Sequence, residues 1–161
     1  MKWDKRKLHS LLLETLKSEL NATLSAAETA KEGATHEDAV AKSKYDTHGL
    51  ELSYLAGSQF EWARLVESKI AILENSLFSE FTEIDPIDVG ALVFLNGKNP
   101  KAQAYLISNI GAGLDLNFQN EKILVISPES PLGEALIGLT QGDTIDSKDR
   151  QKNSYEIIGV Y

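Results

Sequence analysis

The sequence predicts an α+β chain in two parts: an N-terminal antiparallel helical hairpin of coiled-coil type and a small C-terminal β-rich domain with one short helix. Three observations carry this reading. Residues 7 to 78 contain no proline and repeat their apolar side chains at steps of three and four. The period shortens to that of strands after Asp85-Pro86. Ser130-Pro131 then opens one short helix, and Gly142 follows it. The two domains are placed at residues 1–80 and 81–161, with the junction near 79–86.

In the second arm Tyr45, His48, Leu52, Leu55, Gln59, Trp62, Val66, Ile70, Leu73 and Leu77 form a near-heptad seam, the narrow apolar stripe that two helices bury against each other. Leu13, Leu16, Leu20, Leu24, Ala27 and Ala30 form its counterpart in the first arm. Glu32-Gly33-Ala34-Thr35 interrupts the pattern. Gly33 is suited to end the first helix in the left-handed conformation, and Thr35 to cap the second, with Asp38 completing a capping-box variant. A turn there sets Leu20 near Leu52 and makes residues 33–38 the tip, with His36, Glu37 and Asp38 outermost. Residues 37 to 77 as one helix measure about 60 Å.

Beyond Pro86, residues 89–95, 102–107, 122–126 and 155–160 read as strands, separated by Asn96-Gly97 and Asn99-Pro100 turns and by a Gly111-Ala112-Gly113 turn. The short helix covers Leu132 to Leu139, with Ser130 at its cap and Pro131 at its first position.

Composition narrows the function classes. No apolar run approaches the roughly 20 residues needed to cross a bilayer, and the charged N-terminus lacks the core of a signal peptide. There is no cysteine, hence no disulfide framework, thiolate metal site or cysteine nucleophile. A cytoplasmic protein is expected. The net charge of −8 is spread along the chain, so no independent nucleic-acid binding is expected, because that relies on basic residues neutralising phosphates. A basic protein surface is the better partner. His9, His36 and His48 lack the spacing of a zinc site.

Val125-Ile126-Ser127-Pro128-Glu129-Ser130-Pro131-Leu132-Gly133-Glu134-Ala135-Leu136-Ile137-Gly138, with Gly142-Asp143 and the closing Tyr155-Glu156-Ile157-Ile158-Gly159-Val160-Tyr161, resembles the C-terminal domain of the GreA/GreB transcription elongation factors. Lys44 to Ala56 resembles the hairpin of a divergent, Gre-like branch of that family. The resemblance implies an FKBP-like C-terminal domain that docks on RNA polymerase at the rim of its secondary channel. It also implies a hairpin that enters the channel and brings its tip to the active centre. Glu129, Ser130 and Pro131 match the stretch used for docking. In the family's cleavage factors two tip acids help hold the polymerase's second catalytic magnesium, so transcript cleavage uses ligands lent by the factor.

The archetypal tip carries acids seven and four residues before a tyrosine. Counted back from Tyr45, these positions are Asp38, which matches, and Ala41, which does not. Asp38 is therefore the candidate metal ligand, within the polymerase complex alone, and Glu37 the other tip candidate. Acids in a first helical turn also complement the helix dipole, so a purely structural tip is an equal reading. Both stimulation of cleavage and regulation by occluding the channel stay open. The chain is expected to be a monomer with no catalytic centre and no cofactor of its own. A prolyl isomerase, suggested by the implied fold, and an adaptor coiled coil that oligomerises through its seam are the alternatives from other classes.

Overall fold

The computed structural model describes residues 3–35, 47–96, 103–146 and 154–161. Its elements are α1 (Lys5–Thr35), α2 (His48–Glu74), β1 (Leu92–Asn96), β2 (Gln103–Ile107), β3 (Asp115–Phe118), β4 (Glu121–Ile126), α3 (Pro131–Leu136), β5 (Thr144–Asp146) and β6 (Ser154–Val160). The chain divides into two compact units, Leu13–Asn75 and Met1–Leu12 with Ser76–Tyr161. The first twelve residues, grouped with the hairpin in the sequence reading, thus pack in the β-rich unit.

Within residues 13–75 the two helices run antiparallel, and the buried stripe is regular. Leu16, Ala27 and Ala30 on α1 and Ala56, Ala63, Val66, Ile70 and Leu73 on α2 are buried, with Leu20, Thr23, Leu52 and Gln59 half-buried at the intervening steps. Lys17 Nζ meets Glu74 Oε1 at 2.6 Å between the arms. The α2 stripe is displaced by one residue from the expected seam at two places, where Ala56 and Ala63 are inside and Leu55 and Trp62 are exposed. One residue is a rotation of about 100° on a helix, so the larger side chains lie on a different face. Tyr54 is exposed as well.

The interruption expected at residues 32–35 is helical. α1 continues through Glu32-Gly33-Ala34-Thr35, and a Cβ placed on Gly33 would lie 3.2 Å from Leu52 Cδ1. The missing side chain therefore serves close approach of the arms, which offsets the roughly 1 kcal/mol that glycine costs in a helix. Leu52 faces Gly33, thirteen positions further along α1 than Leu20. Thr35 donates its hydroxyl back to the carbonyls of Lys31 (3.0 Å) and Glu32 (3.2 Å), so it bonds its own helix. α2 begins after Thr47, whose hydroxyl donates to Glu51 Oε1 at 2.8 Å. The expected tip residues Glu37 and Asp38, with Ala41 and Tyr45, lie outside the described residues.

The other unit is a six-stranded sheet in the order β3-β4-β2-β1-β6-β5, antiparallel except for the β2·β4 pair. All four expected strands form. β3 and β5, at the two edges, were not expected; their short, polar segments carry too little alternation to be read. β1 is buried on both faces up to Leu95, and its pairing with β6 shifts register between Phe94 and Leu95.

On one face Val93, Leu95, Ile107, Ile126, Ile145, Ile157 and Val160 form a core with Ile87, Ala91 and Leu136 of α3. On the other, Leu92, Phe94, Leu106, Leu116, Ile123 and Val125 follow from the pairing register, since cross-strand partners share a face. The N-terminal residues belong to this second side. The Trp3 ring lies 5.0 Å from that of Phe94 and 6.2 Å from those of Phe118 and Tyr161. Leu8 and Leu12 are fully buried, and Leu12 Cδ1 fills the space a Cβ on Gly111 would need.

Lys5 fastens this start. Its ammonium donates to the carbonyls of Gly90 and Tyr161, the latter at 2.7 Å, and lies 5.8 and 5.3 Å from the ring centres of Phe78 and Phe81. Among the described residues no helix is long and apolar enough to cross a membrane.

Candidate functional site

The segment from Ser127 to Leu136 leaves β4, turns and enters α3. Its local chemistry explains why it holds one shape. Ser130 Oγ accepts from the Gly133 amide at 3.1 Å and donates to the Ser127 carbonyl at 2.7 Å, so the expected helix cap is made and the turn before it is closed by the same hydroxyl. Pro131 takes the first helical position, where its missing N–H has no helical partner to lose. α3 ends at Leu136, three residues earlier than expected, and Gly138 follows with a φ of +82°.

Glu129 has a structural tie that sequence reading did not see. Ser127 donates its hydroxyl to the Glu129 carboxylate and accepts from the Glu129 amide at 3.1 Å. The hydroxyl's hydrogen bond holds the carboxyl below its ordinary range, so Glu129 is an aimed, exposed anion.

Pro131 continues into a feature the sequence did not reveal. A half-open cavity of about 250 Å³ lies between α3 and the sheet, lined by Leu95, Tyr105, Pro131, Leu132, Ile145 and Tyr155, with Gln103 and Asp146 also on its wall. Burial, and then the neighbouring Tyr155, push the Tyr105 phenol above its ordinary range, and its hydroxyl donates to Gln103 Oε1 at 2.8 Å. Tyr105 and Tyr155 are fifty positions apart in sequence. The register pairs Val93 with Tyr105, Leu95 with Gln103 and Ile157, and Ile145 with Tyr155, which brings both tyrosines to the α3 side of the sheet. Alternation within each strand holds that information; it becomes a site once the strand order is known.

Ser130 and Pro131 are thus built into one structure with Glu129, which carries the exposed charge beside an apolar, tyrosine-lined groove. Among the described residues no group of three or more His, Asp or Glu side chains is placed to hold a metal ion. His9 is buried with its ring edge-on to Phe78 at 5.1 Å, a packing role. Gly111 to Gly113 forms the tight turn before β3, with the Leu114 amide donating to the Gly111 carbonyl at 3.0 Å.

No family model matches the chain, and no curated protein matches it. Among solved structures it is similar to GreA factor homolog 1 (Gfh1) of Thermus thermophilus, at 19% identity over 92% of this chain and 94% of that one, with a TM-score of 0.37. It is similar to Gfh1 of Thermus aquaticus at 20% identity over 93% and 91%, with a TM-score of 0.39. It is also similar to a prokaryotic transcription elongation factor GreA/GreB from Nitrosomonas europaea, at 22% identity over 59% and 78%, with a TM-score of 0.35.

Proposed function

We propose that the chain is a Gre-like factor that binds RNA polymerase at its secondary channel and modulates elongation, with its α3 segment as the docking element. The observation that carries this reading is the single structure made by Glu129, Ser130 and Pro131. An exposed carboxylate fixed by Ser127 stands beside a proline that forms the wall of an apolar groove. A partner surface that offers a basic side chain next to an apolar one meets both halves, and the resemblance of Glu129-Ser130-Pro131 to the Gre docking stretch supports polymerase as that partner. The chain acts without a catalytic centre of its own. At most it supplies Asp38 to the polymerase's magnesium site, where carboxylates set the position and occupancy of the ion.

The second reading is regulation without cleavage, favoured by Ala41 at the position of the second tip acid. One ligand in place of two holds a second ion more weakly, and a hairpin in the channel then acts by occupying it.

The test is binding to core polymerase followed by transcript cleavage in a stalled complex. Wild-type protein binds, and Glu129→Lys weakens binding by about 1–3 kcal/mol, since a charge reversal at a fixed contact loses the pair and adds repulsion. Absence of binding by the wild type at micromolar concentrations overturns the docking proposal. If the transcript shortens with wild type but not with Asp38→Ala, the factor lends a ligand. An unchanged transcript with bound factor selects the non-cleaving reading.

A further inference from the structure

α2 carries a second heptad stripe besides the buried one. Leu55, Ser58, Trp62, Leu65, Lys69 and Ile72 follow at steps of three and four, and so share one face. Its four apolar members are 48%, 53%, 45% and 62% exposed in chain order, an unusual density for a solvent-facing helix. This face lies entirely within the unit of residues 13–75.

The order of residues along the stripe points to what covers it. Read in either direction it runs apolar, polar, apolar, apolar, polar, apolar. About a two-fold axis midway between Trp62 and Leu65, Trp62 meets the Leu65 position, Leu55 meets Ile72, and the polar Ser58 meets Lys69. A second α2 laid antiparallel therefore places every apolar side chain on an apolar one. Charge adds to this. Glu61 and Arg64 flank the stripe on the side away from the buried seam and pair within one helix at 3.4 Å, both about three-quarters exposed. Under the same axis Glu61 of one copy falls within two residues, about 3 Å along the helix, of Arg64 on the other. The intrahelical pair can thus be exchanged for crossed pairs of opposite sign.

We propose that the chain self-associates through this face, α2 against α2 of a second copy in antiparallel register. The four apolar side chains offer roughly 400 Å² per copy, about half of what a standard interface hides on each partner, so the association is a weak, concentration-dependent one. It uses neither the α3 segment nor the tip, but it covers an arm of the hairpin that the polymerase reading places in the channel, so the dimer and the channel-bound factor exclude one another.

The test uses the full chain. Sedimentation from micromolar to millimolar concentration shows a monomer passing to a dimer, with the Trp62 emission moving to shorter wavelength as its indole is covered; Trp3 is already buried and stays constant. Trp62→Glu abolishes the dimer while leaving the circular dichroism and melting curve unchanged, because the side chain is outside the folded seam. Register is read by disulfides, which the cysteine-free chain makes unambiguous. The double variant Ser58→Cys/Lys69→Cys gives an oxidised dimer, and either single variant does not, because like positions then stand eleven residues, about 16 Å, apart. A chain that remains monomeric at millimolar concentration overturns the proposal. So does a dimer indifferent to Trp62→Glu, or one cross-linked equally by the single variants.

Discussion

Lys5 is a cation almost without access to water. Burial lowers its pKa from 10.5 to about 8, against the smaller upward pull of Glu80. The unfolded chain therefore holds this proton more tightly than the folded one between about pH 8 and 10.5. Unfolding free energy then rises with pH across that window and is insensitive to this group below it. Wild-type protein should gain about 1–3 kcal/mol from pH 8 to 10 relative to Lys5→Met, measured by urea titration at each pH. At pH 7 the variant should still be less stable, since it leaves the Gly90 carbonyl without the ammonium it accepts from. A parallel pair of pH profiles would contradict the account. None of this was legible in the sequence, where Lys5 is one of four charged residues in a row and burial depends on partners more than seventy positions away.

At the scale of elements, the reading succeeded where a signal is local and missed where it depends on size or register. Ser130 and Pro131 announced α3 because cap and first-turn chemistry act over three residues. The hairpin was visible from its period, but Leu55 and Trp62 outweighed Ala56 and Ala63 in a pattern that favours large side chains, while the folded arms use the small ones for close approach. Gly33 follows the same rule: glycine reads as a helix end in sequence, but here it lies within α1 and serves packing against Leu52. The seam so defined predicts a contrast. Ala63→Leu should destabilise the chain by about 1–3 kcal/mol through overpacking, and Leu55→Ser should change it by less than about 0.5 kcal/mol, as surface substitutions do. Thermal melts of the two variants check this, and equal losses would restore the larger residues to the seam.

For the molecule as a whole, the assignment of residues 1–12 matters most. Trp3, Lys5, Leu8 and Leu12 cover one side of a sheet whose central strand has no solvent-facing side. A fragment of residues 81–161, the cut that the sequence reading makes, exposes Leu92, Phe94 and Leu106 and should lack a cooperative thermal transition; a sharp melt near that of the full chain would refute it. The candidate site was partly readable at this scale. Glu129, Ser130 and Pro131 were found as neighbours in sequence, but the groove beside Pro131 depends on strands 50 residues apart lying in one sheet.

The sheet order also dictates when each part of the chain can fold. β1 is bounded on one side by β2, a few residues away, and on the other by β6, which begins 58 positions after β1 ends. Lys5 and Trp3 meet Tyr161 across nearly the full sequence. During synthesis these first residues therefore wait for residues 154–161, while the arms 13–75 already have all their partners, and loop-closure entropy delays such distant pairing further. Pulsed hydrogen exchange on refolding should find the α2 amides protected before those of β1, and the reverse order would show that the sheet closes without waiting for its last strand.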